Sequence, residues 1–462
     1  MDSGSGRTGD DYHALLARQD AMRLRRQLLA PGPGTGAGGA GPARRGGGPP
    51  VSPEAYDGGA DQRVIVAGLP LVTPFGRLIT HLYDAMFERH PGLRKLFPES
   101  MDFQRAHLEQ AFWYLIERLH RPAEVAAFCA RLGRDHRKLG VRAAHFRIFE
   151  DALAEALRRS AGADWSPELA DAWLRMIRFA TEAMVAGAEE AMGEPPYWNA
   201  EVTEVRRARD DLVVLRMRTA EPYPYRAGQY ADLQSPLLPG AWRPYALASA
   251  PRSGPELEFH VRRAGRGGVS EALVGSTGVG DALRVGPPQG GDWALDPAAG
   301  PGLLLVAYGT GWATAKALLG ELAGHAARYP VVRLLLAAGT PGELYDTRAP
   351  AALENRCPWL RVTPVTGPGP VSGGGRGRAV TGAVAEELVR QDDWSGWQAV
   401  VDGPPDEVAV TVRLLTALGV DADRIGHHLP AGTAVRWGGG ESAVTGLPRG
   451  ADRPEPLPRL PR

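Results

Sequence analysis

At 462 residues the chain is too long for one ordinary core, and length alone suggests about three domains. Lys plus Arg and Asp plus Glu both number 53, so the formal charge is zero, which argues against a nucleic-acid or anionic-membrane partner. Only two cysteines occur, Cys129 and Cys357, far apart and without metal-ligand spacing; this excludes a disulfide framework and a zinc site and fits a reducing cytoplasm. No apolar run reaches the roughly 20 residues of a membrane span, and Met1-Asp2-Ser3-Gly4 opens no apolar signal core.

Residues 1–56 read as a linker with one short helical stretch. In that stretch, Asp11 to Leu29, the residues Leu15, Met22, Leu24 and Leu28 form a partial apolar stripe. Pro31 to Pro50 is nearly all Gly, Pro, Ala and Arg and reads as a disordered tether. Residues 57–195 are helical throughout: Phe75, Leu78, Ile79, Leu82, Met86 and Phe87 follow a 3.6-residue period, His107 to Leu119 and Phe146 to Leu157 continue it, and Ser166 opens a long final helix. Residues 196–297 change to period two. Val213, Leu215 and Met217 alternate with Val214, Arg216 and Arg218; Leu257, Phe259 and Val261 alternate with Glu258, His260 and Arg262. Short alternating strands between Gly/Pro turns predict an antiparallel β-barrel. Over 298–437 the strands become continuous apolar runs, Leu303 to Ala307, Val331 to Ala338 and Ala399 to Val401, with helical patterns between them. That is the signature of a parallel α/β nucleotide-binding domain. Residues 438–462 are again Gly/Pro-rich and read as a disordered tail.

Phe128 to Val141 carries the first chemical signal. Read as a helix, it lines up Val125, Cys129, Leu132 and His136 on one face, with Gly140 as terminator. A histidine on an apolar face is either a core residue bonded to a carbonyl or an axial haem ligand.

The surroundings of His136 resemble the globin domain of a flavohaemoglobin. The matching residues are Leu82-Tyr83-Asp84-Ala85-Met86-Phe87 with Leu93 to Phe97, then Gln104-Arg105-Ala106-His107-Leu108, then His136 with Leu139-Gly140-Val141 and His145-Phe146. The resemblance implies haem b, with His136 on the iron and the opposite position left for a diatomic ligand. Tyr83, helped by Gln104, would donate a hydrogen bond to that ligand. Phe97 would wedge against the porphyrin, and Leu108 would keep the pocket dry. Two residues depart from the family. Phe146 stands where it has a proximal tyrosine, and Ala188, with Glu189 beside it, where it has a glutamate. The charged relay on the proximal imidazole is expected to be missing.

Downstream, Arg243-Pro244-Tyr245-Ala246-Leu247-Ala248-Ser249 resembles the flavin motif of the ferredoxin–NADP reductase superfamily, preceded by Arg226 to Tyr230 and followed by Gly267-Gly268-Val269-Ser270. The resemblance implies FAD, with Arg243 on the pyrophosphate, Tyr230, Tyr245, Ala246 and Ser249 about the flavin, and the N–H groups of Gly267, Gly268, Val269 and Ser270 toward the phosphates. Gly309-Thr310-Gly311-Trp312-Ala313-Thr314 follows an apolar strand and opens a helix, the context that makes a Gly-x-Gly a nicotinamide-nucleotide signal. Gly339 to Asp346 and Asp402-Gly403-Pro404-Pro405 resemble later strand ends of the same module, and imply that Thr314, Gly403 and Pro404 border NAD(P)H. Here the family usually has Ser or Thr at Ala246, Pro at Thr314, Cys at Asp402 and a closing aromatic where this chain has His427-His428-Leu429.

Together these resemblances imply an oxidoreductase passing electrons from NAD(P)H through FAD to haem, of the nitric oxide dioxygenase type, with O2 and NO as small-molecule partners. The departures leave two other readings: an O2- or NO-binding sensor with a degenerate reductase, and an oxidoreductase with another donor or acceptor.

Overall fold

The computed structural model describes residues 56–98, 101–251, 255–291, 293, 295, 300–324, 330–367, 375–390 and 393–428. The helix expected at Asp11 to Leu29, the tether, the tail and Leu429 lie outside the described residues.

The first unit is helical: α1 Gly58–Val72, α2 Phe75–Arg89, α3 Asp102–Arg118, α4 Pro122–His136, α5 Ala143–Ala161 and α6 Pro167–Glu190. Ser166 caps α6 by accepting from the Leu169 N–H at 3.2 Å, and Pro167 follows at the first turn, where its missing donor costs nothing. The apolar stripes converge on one core that includes Phe75, Leu82, Phe112, Ile116, Val125, Leu153 and Trp173. No single described helix is long and apolar enough to cross a membrane.

α4 and α6 cross backbone to backbone. A Cβ on Gly133 would lie 1.9 Å from the Met184 carbonyl oxygen, and one on Gly187 would lie 2.1 Å from that of Ala130. Only two hydrogens fit there, so the crossing sets how deeply α4, and the histidine at its end, sits. Gly133→Val is expected to destabilise the protein by about 3 kcal/mol in chemical denaturation, because the helices must separate. Gly76→Ala, on α2 with nothing within 4 Å of its Cβ position, should change stability little.

The second unit is a six-stranded sheet in the order β4-β3-β6-β1-β2-β5. Its strands are β1 Trp198–Arg209, β2 Leu212–Thr219, β3 Tyr230–Gln234, β4 Arg243–Ala246, β5 Glu256–Arg262 and β6 Ala282–Val285, and all pairings are antiparallel. A bridge between Leu247 and Phe259 joins the two edges and closes the barrel. One short helix, α7 Val269–Gly275, packs on it.

The third unit is a five-stranded sheet in the order β11-β10-β7-β8-β9, every pairing parallel. Its elements are β7 Leu303–Tyr308, α8 Trp312–Gly324, β8 Val332–Ala338, α9 Arg348–Arg356, β9 Leu360–Thr366, α10 Gly375–Val389, β10 Gln398–Asp402, α11 Pro405–Ala417 and β11 Ile425–His427. Sequence patterning picks out β7, β8 and β10, which are buried on both faces. It passes over β9, an edge strand with exposed positions, and the three-residue β11. On β5, Glu258 and His260 were expected on the polar face, yet both are buried, because the third unit covers that face.

Candidate functional site

His136 is the last residue of α4, and the chain then tightens into the turn Arg137–Leu139 and ends at Gly140 in a left-handed conformation. The His136 Nδ1 lies 2.7 Å from the Leu132 carbonyl oxygen. That bond requires the proton on Nδ1 and leaves the lone pair on Nε2, which nothing among the described residues engages. Burial pushes the imidazole below its ordinary 6.5, against the charge of Asp135, so it is neutral at neutral pH. A neutral imidazole of fixed tautomer is the donor that haem iron takes. Its acceptor is a backbone carbonyl.

Tyr83 on α2 is buried, with its ring 5.6 Å from that of Phe97 and 5.8 Å from that of Phe87. Burial pushes its hydroxyl up to about 12, so it remains a donor across the physiological range. Among the described residues its hydroxyl has no protein partner. On α3, Leu108 packs on the same core, and the Gln104 Oε1 is buried without a hydrogen-bond partner. An orphaned amide oxygen on α3, a tyrosine hydroxyl without a described partner on α2 and an imidazole nitrogen left over on α4, on helices that share one apolar core, are groups that fit haem.

On the barrel, β3 and β4 set Tyr230 opposite Ala246, Ala231 opposite Tyr245 and Leu233 opposite Arg243. The register therefore separates the motif into Tyr230 with Ala246 and Tyr245 with Arg243. Tyr245 packs partly on the barrel core. Arg243 is half-buried and donates to the Trp242 carbonyl at 2.8 Å. Ser249 has its hydroxyl engaged: it lies 2.8 Å from the Tyr225 hydroxyl and accepts from the Glu258 N–H at 3.2 Å. Gly268 caps α7, but the Gly267 N–H already donates to the Glu271 carboxylate, and the Ser270 hydroxyl accepts from the Ala264 N–H at 3.0 Å. Within the motif the Ser249 and Ser270 hydroxyls and the Gly267 N–H are thus engaged inside the protein.

Gly309, Thr310 and Gly311 form a tight turn between β7 and α8. Beside it a shallow depression is lined by Gly309, Trp312, Ala338, Glu343, Tyr345 and Asp346, at the C-terminal edge where parallel sheets receive nucleotides. A Cβ on Gly311 would lie 2.2 Å from the Asp402 carbonyl oxygen, so only glycine lets α8 start this close to β10. Two of the departures prove to be partners: the buried Thr314 hydroxyl donates to Asp402 Oδ2, while Asp402 Oδ1 accepts from the Gly403 N–H at 2.8 Å. A third joins them, since the His428 Nδ1 stands 3.6 Å from the same carboxylate. The His428 ring lies between Tyr230 and Trp293, at 5.2 and 4.7 Å, and its Nε2 is buried without a partner. Pro404 is exposed, and its carbonyl accepts from the Val408 N–H as α11 begins.

Two groups that sequence reading missed tie the units together. Lys138 reaches from the turn after His136 to Asp232 on β3. Glu258 on β5 receives Lys316 from α8, His260 at 2.8 Å and Arg216 at 3.0 Å, and the other nitrogen of His260 lies 2.6 Å from the Tyr345 hydroxyl. Burial opposes the charge on Glu258, but bonds from His260 and Lys316 outweigh it and hold its carboxyl well below the ordinary 4.5. Burial lowers His260 from its ordinary 6.5. Both folded-state values are depressed, so the stability they contribute is present above the ordinary values and is lost as pH falls. The melting temperature should drop on acidification below pH 6.5, first through His260 and then through Glu258, and His260→Phe should flatten the first part of that fall.

Comparison with known proteins agrees with the order of the units along the chain. The globin family model matches residues 80–184, and that of the oxidoreductase FAD-binding domain matches residues 199–292. A flavohemoprotein of Deinococcus radiodurans is 29% identical over 292 residues, covering 59% of this chain and 71% of its own. The ferredoxin reductase component of the naphthalene 1,2-dioxygenase/salicylate 5-hydroxylase systems of a Ralstonia species is 31% identical over 219 residues. That match covers 47% of this chain, which spans 64% of the reductase's length. Among solved structures, a flavohemoglobin from Malassezia yamatoensis with bound FAD and heme superposes with a TM-score of 0.63 at 17% identity, over 80% of this chain and 98% of that one. Haem, FAD and a nicotinamide nucleotide are the cofactors of such an assembly. The chain is thus a globin fused to a ferredoxin–NADP reductase-type FAD and NAD(P) module, a flavohaemoglobin-like protein.

Proposed function

We propose that the protein is an NAD(P)H-dependent flavohaem oxidoreductase of the nitric oxide dioxygenase type, consuming NO and O2 to form nitrate. The observation that carries the reading is the neutral His136 imidazole, its Nε2 unengaged in a globin core, on the same chain as a flavin barrel and a parallel nucleotide sheet. When bound, FAD supplies the exchange of a two-electron donor for single electrons, and haem supplies the chemistry of diatomic gases.

The protein residues provide position, polarity and access. His136 holds the proximal side, its tautomer fixed by the Leu132 carbonyl. Tyr83 offers a hydroxyl that stays protonated, and Gln104 an amide with an unmet acceptor. Phe97 and Leu108 exclude water, which strengthens both polar groups. Arg243 offers a guanidinium suited to a pyrophosphate. Thr314 and Asp402 form a bonded pair where the start of α8 meets the end of β10, beside the Gly309–Gly311 turn.

The test is NAD(P)H-dependent loss of NO under air by protein loaded with haem and FAD. Catalytic consumption with nitrate as product is expected; a loaded protein that consumes none refutes the reading. A sensing globin with a degenerate reductase is favoured by two observations: the carbonyl acceptor on His136 and the Thr314–Asp402–His428 group in place of the usual residues. Under that reading, NADH and NADPH added without air leave the flavin band unbleached while O2 and NO still bind reversibly.

A further inference from the structure

Lys138 is the most deeply buried cation among the described residues, its side chain 2% exposed. It sits two residues after His136, in the turn that ends the haem-side helix. Its ammonium is held between Asp135 of the helical unit and Asp232 of the barrel. The Trp242 ring covers it, with the centroid 5.4 Å away, and its stem lies over Gly286, whose Cβ position would be 3.4 Å from the Lys138 Cδ. Gln289 closes the group, its Nε2 donating to Asp135 at 2.8 Å and to Asp232 at 3.4 Å. The backbone of Gln289 exchanges two hydrogen bonds with Tyr230, at 3.0 and 2.8 Å. Asp232 stands two residues along β3 from Tyr230, on the same face. A continuous set of polar contacts therefore runs from the residue before His136 to the strand that carries the flavin tyrosine.

Two apolar faces would bind these units together in many nearly equivalent orientations. A desolvated ammonium between two carboxylates does not: away from one register, the buried charges lose one another and keep their desolvation penalty. We propose that Lys138, with Asp135, Asp232 and Gln289, is an electrostatic latch that sets the position of the flavin strand relative to the haem-side histidine, and that Lys138 is a positioning residue for the flavin-to-haem electron step. The inference rests on the electron-transfer reading above: NADH is the reductant, and one electron leaves reduced flavin as ferric haem becomes ferrous.

The test uses the full chain loaded with haem and FAD, as wild type, Lys138→Met, Lys138→Arg and the double variant Lys138→Gln with Asp232→Asn. The double variant guards against a single variant that fails to fold on unneutralised carboxylates. Two readouts are taken: anaerobic stopped-flow absorbance with NADH, and amide hydrogen exchange across residues 135–141 and 230–234. In Lys138→Met, flavin reduction should keep its rate and haem reduction should slow by about 10- to 100-fold, as small displacements do. Exchange should rise in both segments together. The double variant should bind both cofactors with the same slowing, and Lys138→Arg, which keeps the charge, should recover most of the rate. Unchanged exchange, or raised exchange without slowing, overturns the latch. A wild type whose flavin is reduced while its haem is not refutes the electron-transfer reading and the positioning role, whereas the exchange readout then decides the docking role alone.

Discussion

His136→Ala is expected to give a folded protein that does not retain haem. The imidazole has the chemistry of an axial ligand: neutral, of fixed tautomer, and with Nε2 unengaged among the described residues. Losing partners of a metal ligand weakens binding by about 10- to 100-fold, and losing the ligand itself should exceed that. Haem titration followed at the Soret band measures the loss, and free imidazole in the buffer should restore part of it by entering the space the side chain leaves. A variant that keeps the wild-type Soret band and affinity would show that His136 is only a core histidine bonded to a carbonyl. The carbonyl bond is common to both alternatives that the sequence leaves open, and under the haem reading it selects the nitrogen left for iron.

Arg243→Gln should weaken FAD binding by about 10- to 100-fold, the size of a charge-assisted hydrogen bond to an anion, without altering haem content. Arg243 is half-buried on the β4 edge, and one of its N–H groups is fixed by the Trp242 carbonyl, which orients the guanidinium plane. Quenching of flavin fluorescence on titration gives the affinity of both proteins. The result bears on the whole motif, since Ser249, Gly267 and Ser270 already have partners within the chain. If Arg243→Gln binds FAD as tightly as wild type, the pyrophosphate is held elsewhere, and the backbone at Val269 is the place to look.

The departures at the redox end change meaning in three dimensions. In sequence, Thr314 and Asp402 are two separate losses, 88 positions apart. In the fold they are one hydrogen-bonded pair, with His428 beside it, so the site carries its own polar chemistry. Substituting either residue alone would leave a buried partner unsatisfied.

Local patterning was enough to determine the architecture. A 3.6-residue period, then a period of two, then continuous apolar runs each require a different packing partner, so the helical unit, the closed barrel and the parallel sheet were legible in chain order. So were the place of His136 on the apolar face of a helix and the Gly309–Gly311 turn, because helix face and strand-to-helix context are local properties, whereas Tyr83 stands out only through the family resemblance. Only the tertiary structure decided what depends on distant segments meeting. The Gly133–Gly187 crossing, the burial of Glu258 and His260, and the Lys138–Asp232 contact each bring together residues whose neighbours in sequence give no sign of the partner. A lysine two residues after a histidine reads as a solvated charge until the barrel closes over it, since burial and pairing belong to the assembled surfaces and not to the segment that supplies the side chain.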